Sequence, residues 1–153
     1  MIELNEQQRQ RLDKAKALRE QGIDPYPPHS HRTHTAEEAL ARFTEIESTL
    51  ETEHDPETIT VAGRVTAIRD MGKSVFAHIR DGSGAIQIYL RRNVVGEDAL
   101  AHFKRFIDLG DFIEADGNLF RTRTGEVTVE VKAFRLLAKA INPPPEKWHG
   151  LQD

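Results

Sequence analysis

The sequence predicts a mainly β chain: a five-stranded barrel with flanking helices, preceded by two N-terminal helices. Three observations predict it. Strand patterns of period two begin at Ile59 and recur to Leu137; one helical pattern interrupts them after the third strand; and everything before Ile59 reads as helix or proline-rich connector. A chain of 153 residues is the size of one ordinary domain, and 38% hydrophobic with 30% charged residues is a globular composition.

The first element is expected over Asn5 to Gln21. Asn5 caps it, Gln8 occupies the capping-box position and Gly22 stops it. Its apolar stripe, Leu12, Ala15 and Leu18, is narrow, so it reads as a solvated helix resting on a larger body. Ile23 to Pro28 contains three prolines, which fix φ and remove amide donors, and is an extended connector. The second helix opens on the pair Thr35 and Glu38, a capping box, and carries Leu40, Phe43, Ile46 and Leu50 as its apolar stripe. The acidic run from Glu45 to Glu57 reads as a solvated helix end and loop. Residues 1–58 thus make an N-terminal helical extension.

From Ile59 to Arg69 β-branched residues dominate. Ser74–Arg80 and Ala85–Arg91 alternate strictly around Asp81-Gly82-Ser83-Gly84, a hairpin signal. Gly96–Ile107 carries Leu100, Phe103 and Ile107 at helical spacing; Asp111–Arg121 and Val127–Leu137 return to strand composition around Thr124-Gly125-Glu126. The order β-β-β-α-β-β matches the partly open barrel of the OB-fold, assigned to residues 59–140. A five-stranded sandwich or SH3-like barrel is the alternative, disfavoured by the position of the helix. Pro143-Pro144-Pro145, a stiff spacer running into Trp148-His149-Gly150, makes residues 141–153 read as a linker at a cut junction.

Composition excludes several classes. No apolar run approaches the roughly 18 residues of a membrane span. The N-terminus lacks a secretory pattern, and the absence of cysteine removes disulfides, thiol nucleophiles and Cys-ligated zinc, which suits the cytoplasm. The net charge of −4 is uneven: residues 1–58 hold 7 Lys+Arg against 13 Asp+Glu, and residues 59–153 hold 14 against 12. The basic groups therefore concentrate in the barrel, and an RNA partner fits. His29, His31 and His34 cluster, but beside prolines and without a carboxylate in ligand spacing; they read as a solvated loop or RNA-facing turn, not a metal site.

Strand alternation assigns the faces. Val75, Ala77 and Ile79, with Ile86, Ile88 and Leu90, point inward. Phe76, His78 and Arg80, with Gln87, Tyr89 and Arg91, point outward. Two aromatics, an amide and cationic groups are the parts of a base-stacking platform. An ordinary solvated sheet can carry the same residues.

Seven segments in order narrow this: Gly22–Pro27, Val61–Val65, Arg69–Phe76, Asp81–Gln87, Asp108–Asp111, Arg121–Glu126 and Pro145–Leu151. Together they resemble the N-terminal anticodon-binding domain of bacterial class II lysyl-tRNA synthetase. The resemblance implies that the barrel binds the anticodon loop of lysine tRNA, while a separate domain of a homodimeric, cytoplasmic parent enzyme joins lysine to the tRNA with ATP and magnesium. No class II catalytic motif and no Gly-rich phosphate loop occurs in this chain, so neither catalysis nor a cofactor is expected of it.

Carried over residue by residue, the resemblance makes Phe76 the stacking aromatic, Arg69 and Gln87 polar readers of the middle uridine, and Glu126 a reader in the loop between the fourth and fifth strands. His78, Arg80, Tyr89 and Arg91 are further candidate RNA contacts. Uracil presents acceptor, donor, acceptor along its pairing edge; Gln87 can give and take, Arg69 only donates, Glu126 only accepts. Arg80 stands where bacterial relatives commonly have Gln. Aspartyl- and asparaginyl-tRNA synthetases share the fold and the Phe and Gln positions, and the Arg121–Glu126 and Trp148–Gly150 segments favour lysine over them. An independent OB-fold binding single-stranded nucleic acid is the remaining alternative.

Overall fold

The computed structural model describes residues 31–140 together with Gln10 and Lys14, both helical. The rest of the helix expected over Asn5–Gln21, the proline connector and residues 141–153 lie outside the described residues.

The first described element, α1 (Ala36–Ile46), continues into a short 3-10 turn over Glu47–Thr49. Its start is set by local chemistry: Glu38 N–H donates to Thr35 Oγ1 at 3.1 Å and Thr35 N–H to Glu38 Oε1 at 2.8 Å, the reciprocal capping box. Its buried face differs from the expected stripe. Ala36, Ala39 and Phe43 are buried, whereas Leu40 and Leu50 are only partly so and Ile46 is half-exposed. Two alanines let the helix approach the barrel closely, and a pattern weighted by side-chain size overlooks them.

The barrel comprises β1 (Ile59–Asp70), β2 (Ser74–Asp81), β3 (Gly84–Arg91), β4 (Phe112–Arg121) and β5 (Val127–Ala138), within a residue or two of the expected bounds. Between β3 and β4 lie a single turn, α2 (Arg92–Val95), and the expected helix, α3 (Glu97–Phe106). The strand order is β1-β2-β3-β5-β4, closed, with only β3–β5 parallel. A partly open barrel was the expectation; the ring closes because β1 serves two neighbours. Ile59–Arg64 pairs with β4 and Arg64–Asp70 pairs with β2, the strand changing course at a register shift between Val65 and Ala67. At Gly63 the strands come so near that a Cβ would lie 2.7 Å from the Arg80 carbonyl oxygen.

The core follows the alternation. Val61, Val65, Val75, Ala77, Ile79, Ile88, Leu90, Ile113, Leu119 and Val129 fill the interior, and Leu100, Phe103 and Phe106 of α3 close one end. At that end Lys139 is buried. Its ammonium donates to Asp111, to Asp108 Oδ2 at 2.9 Å and to the Phe106 carbonyl at 2.6 Å, while Lys14 donates to Asp108 Oδ1 at 2.9 Å. The acidic run departs from the solvated stretch expected: Asp55 is fully buried, held by Arg42 at 2.7 and 3.2 Å. A carboxylate at that depth stays ionised only with such a partner.

Candidate nucleic-acid interface

Three adjacent strands place one residue each across the outer surface. In register, Arg69 of β1 lies opposite Phe76 of β2, and Phe76 opposite Tyr89 of β3. The Phe76 and Tyr89 rings stack with centroids 4.4 Å apart and planes 18° from parallel, and the Arg69 guanidinium lies 5.3 Å from the Phe76 centroid. Phe76 is thus held by a ring from one neighbouring strand and a cation from the other. The row continues beyond the sequence reading: Tyr89 tilts against Phe120 at 6.1 Å, and His54 stacks on Phe120 at 4.9 Å.

Beside this row opens a cleft of about 810 Å³, within the range of ligand-sized cavities. Arg69, Phe76, His78, Gln87 and Glu126 all line it, so all four residues assigned to anticodon reading share one wall-to-wall space. Ala67, Ile68, Met71, Thr122, Arg123 and Thr124 complete the lining. Met71 and Ile68, exposed apolar side chains 57% and 37% accessible, give part of the cleft wall an apolar surface. Met71 sits in the β1–β2 turn, which Gly72 N–H closes on Asp70 Oδ1 at 2.8 Å. Its exposure beside a stacking aromatic is the signal sequence reasoning passed over.

Gln87 departs from expectation. Alternation points it outward, but it is only 6% exposed. β3 runs between β2 and β5, so an outward side chain there is flanked on both sides; its register partners are His78 and Thr128. Its Nε2 donates to Thr128 Oγ1 at 2.9 Å, and the Thr128 hydroxyl donates to the Glu126 carbonyl at 3.1 Å. Nothing in the sequence singles out Thr128, because β3 and β5 meet through a non-local parallel pairing.

Glu126 rises from the turn between β4 and β5. Thr122 N–H donates to the Glu126 carbonyl at 2.9 Å, Gly125 N–H to the Thr122 carbonyl at 2.9 Å, and Gly125 takes a positive φ of 95° that favours glycine. The Glu126 carboxylate meets His78 Nε2 at 2.8 Å. His78 therefore enters the site as the partner of a candidate reader.

The remaining candidates separate. Tyr89 and Arg91 line a neighbouring recess of about 180 Å³ with Lys73, Ser74, Arg92 and Asn93. Arg91 Nη2 also lies 3.3 Å from Glu130 Oε2, which offsets part of its charge. Arg80, near the far end of β2 opposite Arg64 and Ala85, is exposed and lines neither space. Among the described residues no group of three or more His, Asp or Glu side chains is arranged to hold a metal ion, and no helix is long and apolar enough to cross a membrane.

A family model described as an OB-fold nucleic acid binding domain, the tRNA anticodon family, matches residues 59–137. The lysine–tRNA ligase of Roseiflexus castenholzii is 49% identical over 153 residues, covering 99% of this chain and 30% of the ligase. Those of Pelotomaculum thermopropionicum and Carboxydothermus hydrogenoformans are each 46% identical over 151 residues, again 99% of this chain and 28% and 29% of theirs. The chain thus spans about 30% of the length of these relatives and matches their N-terminal part.

Proposed function

Since the chain belongs to the tRNA anticodon family of OB-fold nucleic acid binding domains, we propose that its cleft receives the anticodon loop of lysine tRNA and reads the middle uridine. The observation that carries this is the convergence of Arg69, Phe76, Gln87 and Glu126 on one cleft, from β1, β2, β3 and the β4–β5 turn. The Phe76–Tyr89 stack offers a rigid aromatic platform for a base. Arg69 supplies donors for the uracil carbonyls, Gln87 both a donor and an acceptor, and Glu126 an acceptor once its carboxylate is shared with, or released from, His78.

In this reading the barrel, residues 59–140, is the binding domain, residues 1–58 its helical extension, and residues 141–153 a linker to the catalytic part of a lysine–tRNA ligase. The matches to three such ligases support it. The ligase is a cytoplasmic homodimer whose ATP and magnesium serve the catalytic part; the cleft described here has no three-ligand group for an ion, and no step of recognition passes through either. The chain itself selects RNA and does not aminoacylate it. Arg80, Tyr89 and Arg91 lie along the path of the flanking nucleotides, Tyr89 by stacking and the arginines through phosphate.

Binding titrations of anticodon stem-loops test this. A loop with three uridines should bind more tightly than one with cytosine in the middle. An aspartate anticodon loop, which keeps the middle uridine and changes its neighbours, should bind less tightly than the lysine loop. Equal affinity for all three and for unstructured single strands would replace the proposal with the independent single-strand binder; preference for the aspartate loop would favour the aspartyl-type synthetase.

A further inference from the structure

We propose that Thr128, which lies outside the lining of the cleft, determines the uracil preference of Gln87 by fixing which end of its amide faces the RNA; this rests on the anticodon reading above. A glutamine amide is nearly symmetric in shape and opposite in chemistry at its two ends. With the oxygen toward the base it accepts from uracil N3–H. With the nitrogen toward the base it donates to the bare N3 of cytosine. Unaided, the residue therefore discriminates poorly, and something must hold it one way round.

Thr128 does so by proton count. The hydroxyl has one proton, and it is given to the Glu126 carbonyl at 3.1 Å. Toward Gln87 the same oxygen then has only lone pairs, so the amide must present Nε2 to it, as it does at 2.9 Å. Oε1 takes no hydrogen bond from any described residue. It is not sealed away either, since His54 Nε2 is the one buried side-chain polar atom without a hydrogen bond among the described residues. Gln87 lines the cleft and Thr128 lies outside its lining, so the end of the amide that Thr128 does not hold is the end left for the cleft.

Turning the amide over would oblige Thr128 to donate to Oε1 and abandon the Glu126 carbonyl, which would keep only Thr122 N–H at 2.9 Å. The reversed state thus forfeits one neutral hydrogen bond, a bias of roughly twofold to tenfold. The same hydroxyl holds the peptide of Glu126, so one buried side chain couples two base readers from different parts of the chain. Thr128 is a positioning residue: it selects the orientation of a group that touches the base.

The test is the ratio of affinities for stem-loops with uridine or cytosine at the middle position, measured on the full chain. Thr128→Val keeps the shape and removes the hydroxyl, so neither end of the amide has a partner at that position and the bias toward presenting Oε1 to the cleft is lost. The expected result is a uridine-to-cytosine ratio reduced at least roughly twofold, chiefly by tighter cytosine binding. Thr128→Ser, which restores the hydroxyl, should keep the parent ratio. A purely structural role would weaken both loops alike and leave the ratio unchanged. If Gln87→Ala abolishes the ratio while Thr128→Val leaves it intact, the positioning role is wrong and the anticodon reading stands; if Gln87→Ala leaves the ratio intact, the reading itself falls. Should Thr128→Val not fold, nuclear Overhauser contacts in the parent chain decide: Gln87 Hε protons beside the Thr128 methyl support the proposal, and their absence overturns it.

Discussion

Phe76 and Tyr89 lie ring on ring across the β2–β3 pair, 4.4 Å between centroids and 18° from parallel. Because they are register partners, the stack is a consequence of strand pairing and exists before RNA arrives. Pre-formed platforms bind with less ordering cost than loose aromatics. Arg69 lies on the other flank of Phe76, its guanidinium 5.3 Å from the ring centroid.

Phe76→Ala should therefore weaken anticodon stem-loop binding by about 1–3 kcal/mol, with little dependence on base identity. Tyr89→Ala should weaken it less, since it loosens the platform without removing it. Fluorescence titration with uridine and cytosine loops separates the two. Unchanged affinity in Phe76→Ala would remove this face from the binding site.

Arg91→Ala should weaken all RNA loops alike and lower the salt slope of binding by about one. Its contact with Glu130 at 3.3 Å sets the contrast: Glu130→Gln should raise affinity and leave specificity unchanged. Titrations at two salt concentrations give the slopes. If neither variant moves it, Arg91 serves Glu130 alone.

The fold should lose stability in acid. Burial pushes the carboxyls of Asp55 and Asp116 up, but Arg42 and the Glu57 N–H on Asp55, and Arg135 and Thr60 on Asp116, outweigh it and hold both below the usual carboxylate range. A depressed folded pKa contributes stability above the unfolded value near 3.8 that is lost as pH falls through the folded value. Burial also lowers His102, so the unfolded chain takes up its proton first as pH falls below 6.5. Asp111, raised by burial against the pull of Lys139, acts in the opposite sense. Thermal melts from pH 7 to pH 3 should show a falling midpoint, and Asp55→Asn, costing about 1.5–3 kcal/mol at pH 7, should flatten the acid limb.

Lys139→Ala should destabilise by about 3–5 kcal/mol, because it leaves the Asp111 carboxylate buried without its cation. Lys139→Met with Asp111→Leu, which removes both charges, should recover much of that loss. Urea unfolding of the three proteins measures the difference. A double variant no better than the single one would mean that the carboxylate's bonds to Ala140 and Asp108 N–H matter more than the ion pair.

What the sequence determined by itself was local. The period-two pattern set which residues of β2 and β3 face the core, the capping box set where α1 starts, and the Thr124-Gly125-Glu126 turn set where Glu126 stands, because each depends on neighbours within a few positions. The candidate readers are named from the resemblance of motif segments to a known family, not from local patterning. Tertiary structure alone decided what lies between them. Arg69 and Glu126, 57 positions apart, share a cleft only because the strands curl into a closed ring. Gln87 is buried only because β5 arrives alongside β3, and Asp55 only because Arg42 reaches it from α1. Alternation tells a strand which way a side chain points; it carries no information about which distant strand will cover it. The choice of Thr128 as the neighbour of Gln87 was therefore made by the parallel register of β3 and β5, a pairing that no stretch of sequence contains.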